Sequence, residues 1–177
     1  MIQPKLINII HKATVIQRWN DHIRPSTGFA EIDKQAHKTF FAYILARCQA
    51  EEDKNFDQNA LIEGIIFEFL HRVILTDIKP PIYYKIIDMM GNRIDSWVEE
   101  QLFDSISCIP GGFAERFHRY FFDAEFCKEE KAIIKYAHYL ATKWEFDIIY
   151  PMNIGFYNIE NTRKEVTDGL AQCTWFE

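Results

Sequence analysis

The chain has 177 residues, 48% of them hydrophobic, 15% aromatic and 26% charged. That is enough apolar material for one domain with a real core, and it excludes a disordered chain. The formal net charge of −6 carries no basic stripe, which argues against a large nucleic-acid partner.

Cys48, Cys108, Cys127 and Cys173 are widely spaced and form no C-x-x-C pair, as expected for free thiols in a reducing cytoplasm. Met1 to Lys12 carries two lysines and no long apolar run, so no secretory leader is expected there. No stretch approaches the roughly 20 apolar residues of a membrane span.

Apolar spacing is helical nearly throughout. Leu6, Ile9, Ile10, Ala13 and Ile16 form a first stripe, broken at Pro25-Ser26-Thr27-Gly28. A second helix is expected from about Asp33 to Cys48, with Phe40, Phe41, Ile44, Leu45 and Cys48 on its buried face. After a polar loop, Leu61, Ile62, Ile65, Ile66 and Phe69 mark a third helix that cannot run regularly through Pro80-Pro81. One or two helices follow between Ile82 and Leu102, then the break at Pro110-Gly111-Gly112 and a segment with Phe113, Phe117, Phe121 and Phe122. Ile133, Ala137, Leu140, Ala141 and Trp144 mark another helix, ending near Pro151, and Ile159, Val166, Leu170 and Cys173 a last one. Strand-like alternation is nearly absent, which predicts an all-α, single-domain helical bundle over residues 1–177.

Three polar residues fall on apolar faces. His37 lies one turn before Phe40 and Phe41; Glu68 follows Ile65 by three; His138 follows Ile134 by four and precedes Ala141 by three. A buried carboxylate needs a partner, a hydrogen bond or a metal. Two histidines and a glutamate form a known zinc ligand set with one position left for water. Alternatively, the histidines are ordinary core residues and Glu68 pairs with Arg72 four positions on. Arg18-Trp19 is a second cluster: an arginine fork suits a phosphate and an indole face suits a base or sugar, or the two are a helix-end arginine beside a core tryptophan.

The segment from Phe67 to Pro81 (FEFLHRVILTDIKPP) resembles the core of the HD-superfamily phosphohydrolases, most closely the bacterial 5′-deoxynucleotidase group. That group reads roughly L-H-D-A-[SH]-E-x-x-x-G-D-[IL]-P-T-P there; His71, Asp77, Ile78 and Pro81 match in register. Gln17-Arg18-Trp19 resembles the family's R-W, Gln35-Ala36-His37-Lys38 its S-E-H-S, and Glu129 to His138 its E-E-x-x-[LI]-V-K-x-A-D. The likeness spans about Lys5 to Trp144.

The resemblance implies an HD-like bundle whose metal signature, H…HD…D, reads His37, Glu68, Phe69 and His138 here. Phenylalanine cannot ligate, and the family's glutamate after the pair is Arg72. The changes favour a non-catalytic or remodelled relative of nucleotide phosphohydrolases. The alternative is an active metal-dependent phosphohydrolase acting on a nucleoside monophosphate or a similar small phosphate ester. In it His37, Glu68 and His138 would hold zinc, manganese or cobalt, Asp77 and Arg72 would serve catalysis, and Arg18 and Trp19 would bind substrate. The resemblance further implies a small phosphate-bearing ligand such as a nucleotide, and a homodimer, to which the phenylalanines from Phe113 to Phe122 would lend an apolar contact.

Overall fold

A computed structural model describes residues 3–19, 28–50, 57–75, 78 and 80–173. Among them lie eight α-helices and no β-strand, so the expected all-α bundle is what the chain forms. The helices are α1 (Pro4–Lys12), α2 (Glu31–Ala50), α3 (Gln58–Leu75), α4 (Pro80–Met90), α5 (Arg93–Ile106), α6 (Phe113–Phe122), α7 (Lys128–Ile149) and α8 (Ile159–Ala171). No helix of the described residues is long and apolar enough to cross a membrane.

Local chemistry sets the boundaries. Proline opens α1, where its missing N–H is no loss. The helix pattern stops at Leu75 and resumes at Pro80, as the prolines require. Gly111 and Gly112 both adopt positive φ, and Gly112 caps α6 in the left-handed region where a side chain would be strained.

α3 is the central helix and packs against α1, α2, α5, α6 and α7. On one side Phe67, Phe69, Leu70 and Val73 join Leu6 and Ile9 of α1, Val98 and Leu102 of α5, and Phe113 and Phe117 of α6. On the other, Leu61 and Ile65 meet Ala42 and Ala46 of α2 and Ile133, Ile134 and Ala137 of α7. Gly64 permits a close approach: a Cβ there would lie 2.8 Å from Ile134 and 2.9 Å from the Tyr120 ring.

Two expectations need correction. The phenylalanine-rich segment is not an exposed patch, because Phe113, Phe117 and Tyr120 are buried in the core. The face of α2 is also turned. Glu31, Lys34, Lys38, Ala42, Ala46 and Gln49 are buried, whereas Phe40, Ile44 and Cys48 face outward. Phe41 and Leu45 of the expected face do pack against the core, beside the small Ala42 and Ala46 that meet α3 and α7.

Candidate functional site

The charged end of α2 brings a polar cluster together. Glu31, Lys34 and Lys38 follow one another at helical spacing on the inward face, between α3 and α7. The link before α2 adds two more groups. Gln17 and Ala30 form an antiparallel bridge, with the Arg18 N–H donating to the Phe29 carbonyl and the Glu31 N–H to that of Ile16. This places Arg18 and Trp19 over the start of α2. Trp19 has φ 65, a region costing a non-glycine residue about 1–3 kcal/mol. It is held there by its indole N–H, which donates to Glu145 Oε2 at 2.8 Å, and by its ring against Phe146.

Glu145 of α7 is fully buried, at 0% exposure. Its Oε2 also accepts from Arg18 Nε at 2.7 Å, while Oε1 has no hydrogen-bond partner among the described residues. Arg18 reaches Glu31 as well, at 3.2 Å, and Arg72 lies 3.7 Å from the same carboxylate. Burial alone would raise the Glu31 carboxyl, but Arg18, Lys34 and Arg72 together hold it below its usual value.

The two lysines occupy the centre. Lys38 donates to Glu68 Oε2 at 3.2 Å, and the Tyr120 hydroxyl donates to Glu68 Oε1 at 2.9 Å. Burial, and then the Glu68 charge, push the Tyr120 phenol well above its usual value, so it stays a donor. Lys34 Nζ meets His138 Nε2 at 3.2 Å. Burial, followed by the charge of Arg18, drives the Lys34 amine well below its ordinary value against the pull of Glu31 and Glu145. Burial likewise lowers His138 strongly, and Lys34, Lys38, Arg18 and Arg72 add to it. Both shifts favour the uncharged forms, and either the amine or the imidazole Nε2 can be the donor of this hydrogen bond.

The sequence-predicted residues are thus partly gathered. Arg18, Trp19, Glu68, Arg72 and His138 fall in one polar cluster, with Glu68 and Arg72 about one-third exposed, but His37 packs its ring against Trp144 at 4.3 Å and leaves Nδ1 without a partner among the described residues. Glu68 pairs with Lys38 and Tyr120, not with Arg72. Asp77 lies outside the described residues. Phe69 is in the core, and His71 turns to the same side, bonding Asp95 at 2.8 Å and stacking on Phe121.

No group of three or more His, Cys, Asp or Glu among the described residues is arranged to hold a metal ion. His37, Glu68 and His138 do not fit a metal as they stand, since two are engaged by lysine amines and the third by an aromatic ring. Glu31, Lys34, Lys38, Tyr120 and Glu145 are the members that pattern reading missed. Their signal was present: residues 31, 34 and 38 share one helical face, as do Ile134, His138, Ala141 and Glu145.

Comparison of the chain with protein-family models, with curated proteins and with solved structures finds no match.

Proposed function

We propose that the chain is a non-catalytic relative of the nucleotide phosphohydrolases it resembles, in which lysine amines stand where that family holds a metal. The observation that supports this reading is the pairing of Lys38 with Glu68 and of Lys34 with His138, two of the three candidate metal ligands. A second cation would meet the charges of Lys38, Arg18 and Arg72 at short range, and such repulsion is weakly screened in a buried site.

The ligand that suits the cluster is a small phosphate-bearing molecule. Arg72 is the cation through which it would be met. Its side chain is 32% exposed, and its contact with Glu31 uses Nε, leaving the two terminal nitrogens unpaired among the described residues. That geometry offers a guanidinium edge to a phosphate at the margin of the network.

The test is an assay of phosphate release from deoxynucleoside monophosphates with added zinc, manganese or cobalt, beside a metal-free binding titration. The reading expects no release, and nucleotide binding that weakens about tenfold in Arg72→Ala, the loss of one charge-assisted contact. Metal-dependent release that disappears in His37→Ala would support an active, remodelled phosphohydrolase instead.

A further inference from the structure

Among the described residues, every cation of the polar cluster but one has a carboxylate within ion-pair distance. Arg18 meets Glu31 and Glu145, Arg72 meets Glu31, and Lys38 meets Glu68. Three cations thus face three carboxylates, and the cluster is balanced without Lys34. Lys34 itself is buried, at 6% exposure, and the contact of its Nζ is with His138 Nε2 at 3.2 Å, not with a carboxylate. A buried ammonium in that position is costly, so the arrangement favours the free amine. Burial and the charge of Arg18 act the same way, against Glu31 and Glu145.

A free amine is a nucleophile and an ammonium is not. The surroundings decide which electrophile it can meet. Lys34 lies on the inward face of α2, against His138 of α7, so large or charged electrophiles such as acyl phosphates and keto acids are kept from it. Carbon dioxide is small, uncharged and apolar, and local opening of a helical bundle admits such a molecule. Its addition to an amine also needs a base within hydrogen-bond reach, and His138 Nε2 is placed as one when the amine is the donor of their hydrogen bond.

We propose that Lys34 is a carbamate-forming site, where the amine takes up carbon dioxide reversibly and His138, 3.2 Å away, receives the proton. The lone pair on Nζ forms the new N–C bond while one C=O π pair moves onto oxygen. A proton on that nitrogen then passes to His138 Nε2, leaving a carbamate beside an imidazolium. Nothing is oxidised or reduced. The pair stays neutral in sum, so the balance of the cluster is kept, and each new charge stabilises the other at short range. Of the charged groups that act on this nitrogen, Arg18 and Lys38 favour the anion, and Glu31 and Glu145 oppose it. The site is independent of the nucleotide reading, since it uses neither Arg72 nor a phosphate.

The full chain in carbon-13 bicarbonate at mildly alkaline pH tests it in two ways. Carbon NMR reads the carbamate directly. Trapping with triethyloxonium turns it into a stable ethyl carbamate, which peptide mass spectrometry assigns to a residue. A carbamate resonance that is lost in Lys34→Arg is expected, with the trapped group on Lys34. His138→Gln keeps a polar side chain but takes up no proton, and it should lower the yield at Lys34 about tenfold or more. Trapping on the parent chain decides the matter even where Lys34→Arg does not fold. Label confined by both readouts to the α-amine and the exposed lysines overturns the proposal, as does a yield at Lys34 indifferent to His138→Gln.

Discussion

Lys38 and Glu68 meet at 3.2 Å across the contact of α2 with α3, with the lysine almost fully buried and the glutamate one-third exposed. The asymmetry has a consequence for stability. Lys38→Ala leaves Glu68 with the Tyr120 hydroxyl and some solvent, at a cost of about 1 kcal/mol. Glu68→Ala leaves a buried ammonium with no carboxylate, at a cost of about 3 kcal/mol. Urea unfolding of the two variants should rank them in that order; equal losses would mean that the lysine reaches solvent.

His138 makes the stability depend on pH. Its folded-state proton affinity is held well below the ordinary value of 6.5 by burial and by the cations around it. The unfolded chain therefore takes up this proton first as the pH falls through 6.5. Each pH unit below that value should favour unfolding by up to about 1.4 kcal/mol until the folded group protonates too. Above pH 7.5 both states are neutral and the effect vanishes. His138→Gln should flatten the slope of unfolding free energy between pH 6.5 and 5.5, measured against the parent chain. An unchanged slope would show that His138 titrates normally in the fold.

Gly169 of α8 faces the Tyr139 ring of α7, where a Cβ would lie 2.2 Å from the nearest ring carbon. Gly169→Ala should cost about 1–3 kcal/mol by forcing this helix pair apart, despite alanine's better helix propensity. A thermal melt reads the loss, and a stabilised variant would show that Tyr139 swings away freely.

The helices were legible because periodicity reports local structure, and prolines and glycines mark where it fails. The orientation of α2 was not. Phe40 and Ile44 were expected inside with Phe41 and Leu45, yet only Phe41 and Leu45 pack against the core, beside Ala42 and Ala46. Hydrophobicity ranks faces by transfer energy and carries no account of how near two backbones can come. The site was half legible for a related reason. His37, Glu68 and His138 stood out as polar residues on apolar faces, whereas Lys34 and Lys38 lay outside the apolar row expected to be buried on α2. Lysine is seldom buried, so the amines that engage Glu68 and His138 were the least visible part of the network.

Calorimetric titration of the chelator-treated chain with zinc, and then with manganese and cobalt, tests most directly whether lysine amines have taken the place of a metal. The network predicts no stoichiometric binding at neutral pH, because Glu68 and His138 are already paired. A one-to-one isotherm that is lost in His37→Ala would contradict it.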